Sequence, residues 1–570
     1  MEIYEKNYNK WLEKLDHDDK MKTRLLCMKK QEKMDSFYKY IDFGTGGVRG
    51  ELGIGTNKLN IYTIRKITEG LSLYLEEKNN KEKSIVIAYD TRFMSKEFCL
   101  EVAKNFITHG FKVYIFDDVR PTPLLSFAVR YLKADIGIVI TASHNPSNYN
   151  GYKIYNETGA QIVTHEANSI KKYIDLVEDE FRIKVISDDF LFNNPNFSII
   201  GNRVENAYLE KVNSLIIDKE LIKNVGNNLL IVFSSLHGTA KKLVPQALKD
   251  AGFKNVIIVK EQSNFDSNFS TVESPNPEEY SAFNLAIQYG EKVGADILLA
   301  TDPDSDRLGV MVKDFNNEYR QVNGNQLGAL ILTYLLSNYK EKLKNYNENF
   351  LLKTIVTSNL GEMIANKYGV KTINTLTGFK FIGEQINMIP KDSKFILGYE
   401  ESYGFLIGDF VRDKDAIQAA VIISEIATYY KNKDMNLFDA LHTIYEEYGY
   451  YKEELFSISL KGLEGEQKIQ EIMLNYRKNP IKSTKIGMVK FVEDFQKKIK
   501  INLLEKTSFP ISLPKSNVLK FILEDGSWFC LRPSGTEPKI KIYLSVLGET
   551  ELDCERKMEL LKDEILAELY

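Results

Sequence analysis

The sequence predicts an α/β protein, with three consecutive α/β domains followed by a smaller C-terminal α+β domain, and three observations carry that reading. The chain has 570 residues, too many for one ordinary core, since domains cluster near ~100 to 150 residues and this length suggests roughly three or four of them. Strand-like apolar runs alternate with amphipathic stretches in a βαβ rhythm that recurs three times. The last segment then changes to paired strands around a turn.

In chain order, residues 1–40 are rich in Lys, Glu and Asp with apolar residues at helical spacing, and read as a helical extension packed on the body. The first α/β unit has strands at 84–89, 112–116 and 136–140, with a helix opened by Ser95 and closed near Gly110. The second has strands at 229–233, 256–259 and 297–300, and the third at 351–356, 371–374 and 395–397. At the end, 518–523, the turn EDGS and 528–531 read as a β-hairpin, followed by a strand at 540–546 and a closing helix. Boundaries fall near 205, 320 and 450, where polar or helical stretches such as NNPNFS and YEEYGYYKEE interrupt the pattern. This divides the chain into 1–205, 206–320, 321–450 and 451–570.

Composition excludes several classes of function. With 43% hydrophobic and 27% charged residues the chain is a folded protein, not a disordered one. The net charge of -4 supplies no overall field for nucleic acid or an anionic membrane, so any anion site must be local. Cys27, Cys99, Cys530 and Cys554 lie far apart with no C-x-x-C pair, which argues against a disulfide framework and a zinc site. The charged start has no apolar signal core, and no run approaches the ~18 apolar residues of a membrane span. The expected location is cytoplasmic, with neither nucleic acid nor membrane as a partner.

Ligands on open α/β sheets bind beyond the carboxyl ends of the strands, which directs attention to the loops there. In TDPDSDR the acids at 302, 304 and 306 alternate, so an extended backbone throws all three carboxylates to one side, where a hard divalent cation suits them. An EF-hand needs Gly and Glu where this chain has Arg307 and Lys313; a solvated acidic turn is the remaining alternative. Ser143, in TASHNPSNYNGYK, is either a nucleophile or phosphoryl carrier exposed by the turn, or a capping residue of that turn. His144 beside it suggests a hydrolase triad, but there is no G-x-S-x-G elbow, and adjacent residues usually point apart. RPSGTEPK joins an Arg fork, two hydroxyls, a glycine and Lys539 into a phosphate cradle without the order of a nucleotide P-loop. In GTGGVRG, Arg49 takes the place of the third glycine of a dinucleotide loop, leaving either a flexible turn or a loop that brings Arg49 to a phosphate.

These residues carry a family resemblance. T-A-S-H-N-P around Ser143, D-P-D-S-D-R at 302–307, G-Y-E-E-S-Y-G at 398–404 and R-P-S-G-T-E-P at 532–538 occur in the order found in the α-D-phosphohexomutases, and the chain resembles that family over roughly 40–545. The resemblance implies four domains around a central cleft. It implies that Ser143 is the phosphoserine and that Asp302, Asp304 and Asp306 hold Mg²⁺ with an oxygen of its phosphate. Arg49 and Arg307 then neutralise charge during transfer, and His144 or Lys153 takes the proton of the attacking hydroxyl. Glu400 and Ser402 match the sugar-loop residues. Lys414, Thr377 and Gly378 join the substrate contacts, and Arg532, Ser534, Gly535 and Thr536 grip the phosphate that is not transferred.

The sugar loop, Ser402-Tyr403-Gly404-Phe405, lacks the Gly-His that follows the serine in phosphomannomutases and phosphoglucosamine mutases. With GDFVRDKDA at 408–416 it is similar to the long-chain phosphoglucomutase and phosphopentomutase branch. The implied reaction moves phosphate between C1 and C6 of glucose through glucose 1,6-bisphosphate, which also serves as activator. A pentose phosphate is the second substrate reading. A non-catalytic sugar-phosphate sensor is the reading from another class, and the intact Ser143, three aspartates and Arg307 speak against it.

Overall fold

The computed structural model describes residues 2–16, 19–78, 83–460, 462–534 and 539–569. It divides into two compact units, Met1–Gly324 with Phe379–Asn436, and Asn325–Gly378 with Leu437–Tyr570.

The first unit opens with three helices, Ile3–Lys14, Lys20–Leu26 and Lys30–Phe37. They are held by Trp11, fully buried against the edges of Phe37, Tyr62 and Phe181, with its indole N–H donated to Glu180 at 2.8 Å. The strands that follow are β1 (Gly47–Glu51), β2 (Ser84–Tyr89), β3 (Lys112–Phe116), β4 (Ile136–Ile140), β5 (Tyr149–Asn156) and β6 (Phe197–Ile200), forming one sheet in the order β1-β5-β4-β2-β3-β6. β2, β3, β4 and β6 are parallel, while β5 pairs antiparallel with β4 and β1 pairs antiparallel with β5 at the edge. The central strands IVIAY and IGIVI are buried at every residue because helices cover the sheet. A second sheet contains β7 (Ile231–Ser234), β8 (Val256–Ile258), β9 (Ile297–Thr301), β10 (Leu308–Lys313) and β11 (Tyr319–Val322) in the order β11-β10-β9-β7-β8.

The third α/β region contributes to both units. β12 (Asn349–Thr354) and β13 (Lys371–Thr375) pair in parallel in the second unit, whereas the hairpin of β14 (Lys394–Glu400) and β15 (Gly404–Leu406) belongs to the first. The C-terminal region adds β16 (Tyr450–Ser459), β17 (Ser483–Thr484), β18 (Gly487–Asp494), β19 (Ile499–Asn502), β20 (Thr507–Pro510), β21 (Leu519–Leu523), β22 (Trp528–Pro533) and β23 (Lys539–Gly548). They form an antiparallel sheet in the order β16-β23-β22-β21-β18-β19-β20, with β17 paired to β18. Among the described residues no helix is long and apolar enough to cross a membrane.

Two stretches read as interruptions are partly strands. NNPNFS runs into β6, and YEEYGYYKEE runs from the helix Leu437–Tyr448 directly into β16. The charges of β16 hid its strand character, but its neighbours satisfy them: Glu453 accepts from Ser545 of β23 at 3.4 Å, and Glu454 meets Lys562 of the helix Glu551–Leu569 at 3.3 Å. β17 to β20 were absent from the expected C-terminal hairpin and strand, since β20 is exposed at all four residues and has no buried face to set an alternation.

One close approach fixes the helical layer of the first sheet. Gly70, within the helix Ile61–Lys78, lies where a Cβ would fall 2.5 Å from the Cα of Ile174 in the helix Thr164–Leu176. In an exposed helix, Gly→Ala stabilises by about 0.5–1 kcal/mol. Here the obstacle is backbone, and overpacking costs about 1–3 kcal/mol, so the clash outweighs the propensity. Gly70→Ala should therefore lower the urea midpoint of the first unfolding transition; an unchanged or raised midpoint would contradict this packing.

Candidate active site

Ser143 sits where β4 ends and the chain turns back into β5. Its backbone is left-handed, at φ 52°, and its N–H donates to Thr141 Oγ1 at 2.8 Å. The hydroxyl is buried and donates to Asp302 Oδ2 at 2.6 Å, with His144 Nδ1 at 3.1 Å. The expectation that residues 143 and 144 point apart fails here, because the left-handed turn breaks the alternation of an extended strand and folds the imidazole back onto the hydroxyl. Burial, Arg307 and Arg49 hold His144 well below the usual histidine range. GTGGVRG is no simple turn: its second half is the edge strand β1, which sets Arg49 opposite Gly151 and lets it donate to Asn145 Oδ1 at 2.7 Å.

The three aspartates lie between β9 and β10, and all three are buried. The backbone is not extended, as the alternation argument required. It is a tight turn in which Ser305 adopts φ 59° and donates its N–H to Asp302 O at 3.0 Å. Asp302 Oδ1 also accepts the N–H groups of Asp306 and Arg307, each at 3.0 Å. The turn brings the carboxylates together, with one oxygen from each within 4.8 Å of the others. Lys153, on β5, reaches Asp304 Oδ2 at 2.7 Å and Asp306 Oδ2 at 3.5 Å; Lys414 reaches Asp306 Oδ2 at 3.1 Å.

Charge explains the titration of these groups. Burial and the two neighbouring carboxylates push Asp302 well above the carboxylate range. Burial acts on Asp304 in the same sense, yet Lys153 together with the hydrogen bonds from Asp302 and Thr122 outweighs it and holds that carboxyl low. Burial lowers Lys153, but Asp304 and Asp306 more than restore it, and the lysine is held above its ordinary value. Asp304 Oδ1 and Asp306 Oδ1 are buried with no hydrogen-bond partner among the described residues. Hard oxygen donors, partly unpaired and carrying more negative charge than two lysines cancel, fit a divalent cation.

Arg307 pairs with Glu278 and bridges backbone to backbone with Gly404, while Leu308 N–H donates to Tyr403 O at 3.1 Å. Burial lowers Arg307 to about 10. These bonds tie the aspartate turn to the β14–β15 turn, which carries Glu400, buried, and Ser402, half-buried. Gly404 is required there: a Cβ would fall 2.1 Å from Lys414 Cδ, so the lysine stem passes across the glycine to reach Asp306. Burial lowers Lys414 and is outweighed by Asp306, Asp413 and Glu400, leaving it above the ordinary lysine range.

The remaining sequence-predicted residues belong to the second unit. Thr377 and Gly378, the latter at φ 111°, follow β13. Arg532, on β22, donates to Tyr543 Oη at 3.4 Å, and Ser534 N–H donates to Lys539 O at 2.7 Å. Gly535 and Thr536 lie outside the described residues.

Several groups escaped the sequence reading. Thr122, the first residue of the helix Thr122–Leu132, donates Oγ1 to Asp304 Oδ2 and its N–H to Asp304 O, both at 2.9 Å. Thr239 donates its N–H to Pro303 O at 2.8 Å and places Oγ1 2.8 Å from Ser305 Oγ. Pro-Thr-Pro at 121–123 signals a helix start, but nothing local points from it to a turn 182 residues away. Arg92 and Glu278 carried no motif that this reading used.

Four family models match, described as phosphoglucomutase/phosphomannomutase alpha/beta/alpha domains I, II and III and C-terminal domain, over residues 41–180, 206–316, 323–448 and 483–562. The phosphoglucomutases of Staphylococcus aureus strains MRSA252 and USA300 are each 39% identical over 520 residues, covering 90% of this chain and 91% of the relative. Among solved structures, a putative phosphomannomutase from Thermus thermophilus matches with a TM-score of 0.68 at 20% identity, over 92% of this chain and 99% of that one. The open form of pp63/parafusin, a phosphoglucomutase from Paramecium, also matches at 0.68, with 18% identity, over 92% and 93%. These two share the fold. With all four domain models in order and relatives 39% identical across nine-tenths of its length, the chain belongs to the phosphoglucomutase/phosphomannomutase family.

Proposed function

We propose that this chain interconverts glucose 1-phosphate and glucose 6-phosphate, with Ser143 as phosphoryl carrier and glucose 1,6-bisphosphate formed between the two transfers. The observation that carries this reading is the 2.6 Å hydrogen bond from Ser143 Oγ to Asp302 Oδ2, which joins a hydroxyl on a left-handed turn to a buried cluster of three carboxylates. Its membership of a mutase family and the name of its Staphylococcus aureus relatives support glucose phosphate as the substrate.

Asp302, Asp304 and Asp306 are the residues to hold Mg²⁺, which supplies neutralising charge to a phosphoryl group on Ser143. In the first transfer a sugar hydroxyl oxygen bonds to phosphorus while the bond from phosphorus to Ser143 Oγ breaks. The hydroxyl proton passes to His144, which burial, Arg307 and Arg49 hold neutral; Lys153, the other candidate, would need a lowered value to accept it and is instead held above its ordinary one by Asp304 and Asp306. In the second transfer Ser143 Oγ bonds to the other phosphorus while the bond from that phosphorus to its sugar oxygen breaks; the Ser143 proton passes to His144 Nδ1, 3.1 Å away, and a proton is returned to the departing sugar oxygen. Arg49 and Arg307 add positive charge beside the transferring group. Glu400 and Ser402 hydrogen-bond the ring hydroxyls. The family resemblance assigns Lys414, Thr377, Gly378, Arg532, Ser534, Gly535 and Thr536 to the phosphate that stays, a group that must be read in either orientation of the bisphosphate.

Ser143→Ala should lose nearly all turnover of glucose 1-phosphate while retaining its binding, because the contacts that hold the sugar do not involve the serine. Intact-mass analysis after incubation with glucose 1,6-bisphosphate should show one added phosphoryl group in the parent protein, mapped to residue 143 and missing from the variant. Turnover by the alanine variant at the parental rate defeats the carrier assignment.

Asp304→Asn tests the cation site by a readout separate from catalysis. Millimolar Mg²⁺ should raise the thermal midpoint of the parent, since a ligand that binds only the folded state stabilises it by mass action. The variant should lose most of that shift together with its Mg²⁺-dependent turnover. Equal shifts in both proteins would place the cation elsewhere.

A further inference from the structure

We infer that Arg92 is the positioning residue of the carrier loop, holding Ser143 at the angle from which its oxygen accepts and gives up phosphate. The inference rests on the carrier reading of Ser143. Arg92 lies in Asp-Thr-Arg, immediately after β2, the strand beside β4 in the sheet. Its guanidinium is completely buried.

Both terminal nitrogens of the guanidinium donate to backbone carbonyls of this one region, four bonds in all. Nη1 donates to Pro146 O at 2.8 Å and to Tyr149 O at 3.0 Å; Nη2 donates to Ser143 O at 2.5 Å and to Asn145 O. Nε lies 3.4 Å from Asp90 Oδ2. Three carbonyls of the loop between β4 and β5, and that of Tyr149 at the start of β5, thus converge on one planar fork. Phe269 covers it, with its ring centre 4.9 Å from the guanidinium carbon.

Neighbouring bonds hold the fork in place. Asp90 Oδ1 accepts Arg92 N–H at 2.9 Å and Ser95 Oγ–H at 2.7 Å, while Asn150 Nδ2 donates to Phe93 O at 3.0 Å and to Ser95 Oγ at 2.9 Å. The loop so gripped includes the strained residue, since Ser143 is left-handed at φ 52°. A non-glycine residue persists in that conformation only where its surroundings over-determine it. The four carbonyls supply that constraint, and the conformation in turn sets the 2.6 Å contact of Oγ with Asp302.

A lysine cannot replace this arrangement. Its three donors radiate from one atom, whereas the arginine fork spreads five in a fixed plane. Arg92→Lys keeps the positive charge but leaves buried carbonyls unpaired and the turn free to relax. Displacing a reacting atom by ~1 Å costs about 10²-fold in rate. The substrate-contact residues are untouched, so affinity for the sugar phosphate should hold.

The test compares full-length parent, Arg92→Lys and Phe269→Leu. Phosphate uptake from glucose 1,6-bisphosphate is followed in a single turnover by intact mass, and kcat and KM are measured with glucose 1-phosphate. For Arg92→Lys the uptake rate constant and kcat should fall about 10²-fold, with uptake still reaching full amplitude and KM within about 3-fold of the parent. A purely structural role would lower the amplitude, the fraction of competent molecules, and leave the rate constant alone; that result overturns the inference, as does parental behaviour. Should Arg92→Lys fail to fold, Phe269→Leu decides: with the fork uncovered, its uptake rate constant should fall at least about 3-fold, and an unchanged one overturns the inference. No uptake by the parent itself overturns the carrier reading, and this inference with it.

Discussion

Three carboxylates crowded out of water on a single turn impose the constraint that the surrounding centre answers. At a separation of up to 4.8 Å, each pair of charges repels by about 3–4 kcal/mol even at an effective dielectric near 20, and burial adds the cost of lost hydration. The chain offsets this from several directions. Lys153 comes from β5 of the first sheet and Lys414 from beyond the β14–β15 hairpin. Thr122 donates from the start of a helix, and the N–H groups of Asp306 and Arg307 donate from within the turn. Two oxygens, Asp304 Oδ1 and Asp306 Oδ1, still lack hydrogen-bond partners among the described residues, and the cluster has the donors that suit a divalent cation.

The same centre concentrates unfavourable backbone. Ser143, Ser305 and Tyr403, one in each of three loops, are left-handed, as are the consecutive residues Leu236 and His237 beside Thr239. Such a conformation costs roughly 1–2 kcal/mol per residue. Each is held by bonds that a relaxed loop would lose. Arg92 holds the carbonyl of Ser143, Leu308 holds that of Tyr403, and both ring nitrogens of His237 are engaged, with Asn264 O and Thr271 Oγ1. The strain aims side chains: a hydroxyl at a carboxylate, and a carboxylate cluster toward the lysines. It is sustained by burial, because away from water each lost hydrogen bond costs its full desolvation penalty.

The two units differ in how they use the sheet. In the first, parallel central strands end in loops that carry the charged centre, as expected of open α/β sheets. In the second, the antiparallel sheet buries a continuous apolar face in which Phe521 and Phe529 are paired across strands with ring centres 4.5 Å apart. Its polar residues of interest lie at the β22–β23 end, where Arg532 and Ser534 stand just before residues 535–538, which lie outside the described residues.

By itself the sequence determined the α/β character, because buried parallel strands must be nearly continuous apolar runs: 84–89, 112–116 and 136–140 were legible to the residue. It also located the loops with chemistry, since polar residues directly after such runs stand at strand ends. Half-exposed or charged strands such as β16 and β20 were illegible, because without one apolar face the period-2 pattern disappears. Only the tertiary structure decided how the centre is assembled. An extended run and a tight turn through TDPDSDR are written with the same letters, and the turn is selected by Asp302 gathering the N–H groups that follow it. The partners of that turn, Lys153, Thr122 and Lys414, and the fork of Arg92 beneath Ser143, act across separations of 51 to 182 residues. Contacts of that kind leave no local period or spacing in a chain, because the packing of distant elements, and not their order, creates them.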